Sequence, residues 1–220
     1  MKIFIEGNIG SGKSTLIDYL KKELSIEVIS EPVKEWKSIV DKDNKNIFHY
    51  FYKDIKRWAY TFQMNAFITR AKIIQENIDK DFIMERSIYS DKYCFAINCY
   101  ENKLLNEIEW KLYNQWHDWL SKSMSLEGDA YIYLRTTPEI AYDRIQKRNR
   151  KEESNISLEY IKQIHNKHEE WLYKRADNIL VMDGNIENTS KRLENFKEQI
   201  KSFIKKLRLN KLNQEKQNLI

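Results

Sequence analysis

Short apolar runs alternate with longer stretches of helical periodicity along the chain. KIFIE at 2–6 reads as a strand, and a helical pattern follows over 14–24. IEVIS at 26–30 is a second strand. Over 54–79, apolar residues fall at Ile55, Trp58, Ala59, Phe62, Ala66, Ile73 and Ile74. Those spacings of three, four and seven fit one face of a helix. DFIME at 81–85 is a third strand, and helical stretches follow over 88–100 and, rich in tryptophan, over 106–124. AYIYLR at 130–135 is a fourth strand. Pro138 stands where a helix can begin, and that pattern runs to 147. Ser157 is an N-cap candidate for a helix over 158–176, with Tyr160 where a capping box would want Glu. NILVMD at 178–183 is a fifth strand, and a last helix opens at Asn188 or Thr189.

Strands separated by helices need crossover connections, so the sheet is expected to be parallel. The pattern predicts an α/β sandwich of three layers, five strands flanked by helices. No Ser/Gly/Pro linker and no internal repeat divides it. We expect one domain over 1–208, then a basic, disordered tail over 209–220.

Composition narrows the class. A length of 220 residues suits one α/β domain, and 41% hydrophobic with 13% aromatic residues argues against disorder. Five glycines and two prolines argue against collagen, low-complexity linkers and a turn-rich β sandwich. The formal charge is +5, but 201–220 carries six cationic side chains against Glu215, which accounts for all of it. The excess belongs to the tail, so a nucleic-acid partner is not expected. Cys94 and Cys99 read as two buried thiols on one helix, neither a disulfide framework nor a zinc pair. No apolar run approaches the about 18 residues of a membrane span. Glu6 and Gly7 break the opening run before it resembles a signal peptide. The expectation is a soluble protein of the cytoplasm, with no membrane partner.

Three of the five glycines lie within six positions. Gly7-Asn8-Ile9-Gly10-Ser11-Gly12-Lys13-Ser14-Thr15 matches G-x-x-x-x-G-K-[ST], between a predicted strand and a predicted helix. Glycines let the backbone curl so that successive N–H groups meet phosphate oxygens. The helix N-terminus adds partial positive charge. Lys13 is expected on the β- and γ-phosphates of ATP, and the Ser14 hydroxyl on Mg²⁺.

A phosphate loop names a triphosphate, not an acceptor. The GTPase signatures D-x-x-G and N-K-x-D do not occur, and none of the strands ends in the Asp-Glu of motor ATPases. A kinase of a small hydroxylated molecule needs a base, a pocket and cations. The second strand leads into Ser30-Glu31-Pro32-Val33, and Trp36 follows. The carboxyl ends of parallel strands line the ligand crevice, which puts Glu31 in reach of an attacking hydroxyl. Taken alone, such a Glu is more often a solvated carboxylate. The third strand ends in Glu85-Arg86-Ser87, where Glu85 is a candidate to hold Mg²⁺ through water and Arg86 to clamp phosphate or the hydroxyl. A surface ion pair is the plainer alternative. Arg144 and Arg148 share a helix face, and with Arg150 they suit a lid over about 144–156. His165 and His168 are three apart, but without further ligands they are expected to be exposed helix residues.

Together GNIGSGKST, EPV with its Trp36, FYKD, W-A-x-x-FQ, ERSIYSD and R-x-R-x-EE resemble the deoxynucleoside kinase family from about residue 2 to 185. The resemblance implies a P-loop kinase domain that is usually a homodimer through a helical interface. It implies ATP as phosphate donor and a deoxynucleoside salvaged by phosphorylation of its 5′-hydroxyl. Glu31 is similar to the family's general base and Arg86 to the arginine orienting the hydroxyl. Tyr52 and Glu153 resemble the residues that bind the sugar 3′-hydroxyl. Gln63 resembles the amide on the base edge, with Trp36, Phe62 and Phe95 as its aromatic walls. Arg144, Arg148 and Arg150 resemble the lid arginines, and Asp183 before Gly184 the loop over the donor adenine.

Ala66, Arg70 and Asp91 resemble the deoxycytidine and deoxyguanosine branch, where the thymidine-using branch has a larger apolar residue in place of Arg70. A buried Arg/Asp pair also suits an amino-bearing base edge. Two rivals remain: a monophosphate kinase of the thymidylate kinase type, and a non-catalytic nucleotide-binding or nucleic-acid-binding protein.

Overall fold

The computed structural model describes residues 1–150, 153, 155–174 and 178–217. In chain order its elements are β1 (Lys2–Glu6), α1 (Lys13–Glu23), β2 (Glu27–Ile29), α2 (Val33–Ser38), α3 (Ile47–Lys53) and α4 (Ile55–Glu76). Then come β3 (Phe82–Glu85), α5 (Ile88–Ser90), α6 (Ile97–Glu101), α7 (Glu107–Ser123) and β4 (Ala130–Arg135). The chain continues through α8 (Pro138–Arg148), α9 (Leu158–His168), β5 (Ile179–Asp183) and α10 (Ser190–Gln217).

Both faces of the sheet are apolar, because helices cover both. Successive side chains of a strand point to opposite faces. Ile3 and Ile5 of β1 therefore pack with Leu16 and Leu20 of α1 and Phe196 and Ile200 of α10. Phe4 packs the other way, with Phe67 and Ile74 of α4 and Tyr113 of α7. The strand order is β2-β3-β1-β4-β5 and every pair is parallel. The expected five-stranded, three-layer α/β fold is present. The register sets Ile5 opposite Glu85 and Glu6 opposite Tyr133, so the strands end at one edge. Strand order reverses around β1, whose successor in the chain lies two places to one side and β4 to the other. Ligands bind at such a switch point.

Element boundaries differ from the expectation in four places. Helices α2 and α3 fall in a segment whose spacing shows no clear period; they are held by local packing of Trp36, Ile47 and Ala66. Asp54 caps α4, accepting from Arg57 N at 3.0 Å. The helix expected over 88–100 contains a π-helical stretch, Asp91–Ala96, and the one over 158–176 passes into another, Glu169–Tyr173. Ala176 lies outside the described residues. Finally, α10 continues to Gln217, through most of the tail expected to be disordered. Lys, Leu, Gln and Glu are good helix formers, and they extend the helix without burying it: Leu209 and Leu212 are exposed. Residues 218–220 lie outside the described residues.

Cap chemistry was legible at Ser157, whose side chain accepts from Tyr160 N at 3.1 Å. A full capping box at Asn106 and Glu109 opens α7. His168, expected on the surface, is fully buried and stacks on Tyr133 with ring centroids 6.0 Å apart. Among the described residues, no helix is long and apolar enough to cross a membrane.

Candidate active site

The phosphate loop connects the end of β1 to the start of α1. Gly7 and Gly12 have φ of 146° and 96°, backbone that side-chain-bearing residues rarely adopt. A Cβ on Gly7 would stand 2.7 Å from Leu134 O. Asn8 is buried and anchors the loop to α9, donating to Ile161 O at 2.8 Å, while its Oδ1 accepts from Ile9 N at 2.8 Å. Lys13 Nζ donates to Gly7 O at 3.0 Å and Asn8 O at 2.7 Å. Burial, then Arg86, depress its pKa to about 7 against the pull of Glu85, Glu31 and Glu6. Ser14 Oγ donates to Glu85 Oε1 at 3.0 Å, which brings the motif serine to the end of β3.

Glu31, just past β2, faces two guanidinium groups. Arg70 Nη2 donates to its Oε1, and Arg86 Nε lies 3.6 Å from the same oxygen. Burial alone would raise the Glu31 pKa, but Arg70, Arg86 and Lys13 outweigh it and hold the carboxyl below its usual range. The plainer reading of Glu31 as a solvated carboxylate therefore fails. So does that of Arg86 as half of a surface pair, for it is buried and packs over the Phe95 ring, 4.6 Å from its centroid. Its Nη1 is buried with no hydrogen-bond partner among the described residues.

Arg70 on α4 occupies the centre. Its Nε donates to both oxygens of Asp91, at 3.0 and 2.8 Å, and its Nη1 to Glu85 O at 3.3 Å. Burial, with Glu31 nearby, pushes Asp91 up to about 6 although Arg70 opposes the shift. One turn before Ala66 on α4 lies Gln63, buried, its amide 3.8 Å from Cys99 Sγ. Trp36 closes one wall, edge-on to Phe62 at 5.8 Å, and its indole N–H donates to Thr69 Oγ1 at 2.8 Å.

Ile9, Gly10, Lys13, Ser14 and Glu85 line one cleft of about 170 Å³ together with Trp36, Phe62, Gln63, Ala66 and Asp91. Glu31, Arg70 and Arg86 belong to the same lining, Arg70 bonding Asp91, Glu31 and the Glu85 carbonyl, and so do Tyr52, Phe95, Arg148, Arg150 and Glu153. Glu153 Oε2 accepts from Arg148 Nη2 at 2.6 Å, and its Oε1 lies 3.6 Å from Arg150 Nη1. Lid residues Lys151, Glu152 and Ser154 lie outside the described residues.

Seven expected site residues are not in the cleft lining: Gly7, Asn8, Ser11 and Gly12 of the phosphate loop, then Thr15, Arg144 and Asp183. Thr15 is exposed on α1. Arg144 is committed to backbone: it donates to Gly184 O at 2.7 Å, Asn185 O at 3.2 Å and Ile186 O at 3.1 Å, and approaches Ser11 O at 3.4 Å. Asp183 turns its Oδ1 to Asn185 N at 2.9 Å. Both thus shape the loop after β5. Sequence reasoning missed Phe48, Phe51 and Tyr160, which line the cleft. The aromatic run FHYFY at 48–52 was the available signal, and the unrecognised α3 hid it.

A phosphate loop that shares one cleft with aromatic side chains and a carboxylate suits the transfer of a phosphoryl group to an organic acceptor. The fold and site define a P-loop phosphotransferase. The chain belongs to the deoxynucleoside kinase family, whose model, described as deoxynucleoside kinase, matches residues 3–205. It is 39% identical to deoxycytidine kinase 2 of Gallus gallus, over 92% of this chain and 90% of that one. It is 37% identical to deoxycytidine kinase of Homo sapiens, over 94% and 92%. It is 34% identical to mitochondrial deoxyguanosine kinase of Xenopus laevis, over 92% and 89%.

The charge network makes a direct prediction. Arg70 holds the Glu31 pKa down, so Arg70→Met should raise it. A carboxylate-selective NMR titration of ¹³C-labelled protein would read the shift, and an unchanged Glu31 midpoint would refute the coupling.

Proposed function

We propose that the protein transfers the γ-phosphate of ATP to the 5′-hydroxyl of a deoxynucleoside, a step of nucleotide salvage. The observation carrying this reading is that the phosphate loop, Glu31 with Arg86, and the aromatic compartment share one cleft. In this mechanism Glu31 takes the proton of the attacking hydroxyl and Arg86 orients that hydroxyl and the phosphoryl group. Lys13, Arg148 and Arg150 spread the developing charge. Depressed basicity suits Glu31 to stay ionised at neutral pH and accept the proton only as the hydroxyl becomes acidic in the transition state. Ser14 and Glu85 are hard oxygen donors 3.0 Å apart and suit Mg²⁺, which they would hold. Bound there, it supplies neutralising charge to phosphate oxygens. Tyr52 and Glu153 bind the sugar 3′-hydroxyl, and Arg144 acts indirectly by fixing the 184–186 backbone over which the donor adenine lies.

Base preference follows from the far end of the cleft. Asp91 spends part of its acceptor capacity on Arg70 and has lone pairs left for an exocyclic amino group. Gln63 supplies both a donor and an acceptor. The buried cation beside Ala66 crowds a thymine methyl. Deoxycytidine or a purine deoxynucleoside is therefore favoured over thymidine. The test is a phosphorylation panel of four deoxynucleosides plus thymidine monophosphate. Thymidine as best substrate would sink the preference, and the monophosphate as sole acceptor would sink the reading itself.

Glu31→Gln should lower kcat by about 10²- to 10⁴-fold while deoxynucleoside binding, followed by calorimetry, persists. Near-normal turnover in that variant would remove Glu31 from the chemistry.

The protein is further proposed to be a homodimer through α7, paired with α4. Ile108, Leu112, Trp116 and Trp119 follow helical spacing on α7 and are exposed, as is Ile68 on α4. Sedimentation should give about twice the 26.7 kDa chain mass, and Trp119→Glu should reduce it to one chain. A monomeric wild type would overturn this.

A further inference from the structure

Glu6, the last residue of β1, is fully buried and has no part in the mechanism above. An ionisable group in that position is costly unless its oxygens are used. Its Oε1 accepts from Ser87 N at 2.7 Å. Its Oε2 is buried with no hydrogen-bond partner among the described residues. Burial pushes the carboxyl pKa up, and the nearby Arg86 guanidinium is the strongest influence pulling it back.

Ser87 follows Arg86, the one non-glycine residue of the cleft lining with positive φ among the described residues. Arg86 has φ 64°, left-handed backbone that residues with a side chain seldom adopt and that persists where neighbours enforce it. Arg86 N donates to Ile5 O at 3.0 Å, continuing the β1–β3 ladder by one residue. The next N–H, that of Ser87, no longer meets a strand carbonyl and goes to the Glu6 side chain instead. Ser87 Oγ then accepts from Tyr89 N at 3.2 Å and Ser90 N at 3.3 Å, starting α5. The chain thus leaves the sheet, reverses at Arg86 and enters a helix within three residues. Glu6 supplies the one side-chain acceptor from β1 at the point of reversal. That reversal sends the Arg86 side chain across Phe95 toward Glu31.

We propose that Glu6 is a positioning residue: its carboxylate holds the Arg86–Ser87 turn and so aims the Arg86 guanidinium at the reacting hydroxyl. The inference rests on the role given to Arg86 above. It concerns the turn rather than substrate contact, because Glu6 is not part of the cleft lining.

A double-mutant cycle on the full chain tests it, with kcat and deoxynucleoside KM measured for Glu6→Ala, Arg86→Ala and the pair. Glu6→Ala should lower kcat about tenfold or more with KM within about threefold, since small misplacements of an orienting group mainly cost turnover. In the Arg86→Ala background, Glu6→Ala should cost no further turnover. Glu6→Gln keeps a carbonyl acceptor for Ser87 N–H and should return kcat to within about threefold of wild type. Where the alanine variant does not fold, Glu6→Asp, which withdraws the acceptor but keeps the charge, takes its place in the cycle. Equal fold losses in both backgrounds, or wild-type kcat in the variant lacking the acceptor, would overturn the proposal. Wild-type kcat in Arg86→Ala alone would instead overturn the role given to Arg86, and the inference with it.

Discussion

The cleft depends on one buried cation. Arg70 is 2% exposed, and its guanidinium donates to Asp91, to Glu31 and to the Glu85 carbonyl. A cation so far from water is tolerable only when its donors are used, and removing one member of a buried pair costs about 3–5 kcal/mol. The same side chain therefore ties α4 to the ends of β2 and β3 and to the π-helical stretch that begins at Asp91. It also makes Asp91 and Glu31 dependent on each other. A change at Asp91 alters how Arg70 is held and hence the field at Glu31.

Topology explains why such a side chain finds three partners. Parallel strands end on one edge, so the segments after β1, β2 and β3 converge although they lie dozens of residues apart. Convergence demands close backbone approach. A Cβ on Gly12 would meet Asn188 Nδ2 at 2.7 Å, just as one on Gly7 would meet Leu134 O. The phosphate loop is thus packed between the end of β4 and the approach to α10, and its glycines serve the fold as well as phosphate. The buried Asn8 side chain adds a third tie, to α9.

Motifs with a fixed spacing were legible in the sequence. The phosphate loop and the ERS segment carry their chemistry in a few adjacent residues, and the unbroken apolar run Ile3-Phe4-Ile5 in β1 suits a strand covered on both faces. Long-range partnerships were not legible. Nothing local in Glu6 says that its side chain will meet Ser87 N, 81 residues away. Arg144, read with Arg148 and Arg150 as a lid arginine, donates to carbonyls of the loop after β5. Helical spacing identifies a face but not what will be opposite it. The π-helical stretches were missed for a related reason: one extra residue in a turn barely disturbs the apolar pattern, yet it shifts every side chain that follows.

The cations of the cleft fall into two groups with different freedom. Arg148 and Arg150 have side chains 32% and 49% exposed, and both pair with Glu153. Exposed pairs of that kind are worth about 0–1 kcal/mol, so exchanging Glu153 for a phosphate oxygen costs little. Arg70 and Arg86 are buried on the sheet edge, where any exchange of partners must be matched by another charge. A phosphotransferase benefits from this division. Arg70 and Arg86 keep their protein partners whatever enters the cleft, whereas Arg148 and Arg150 can exchange Glu153 for a phosphate oxygen. The fixed half is built on strand ends and α4, and the exchangeable half on Arg148 at the end of α8 and on Arg150.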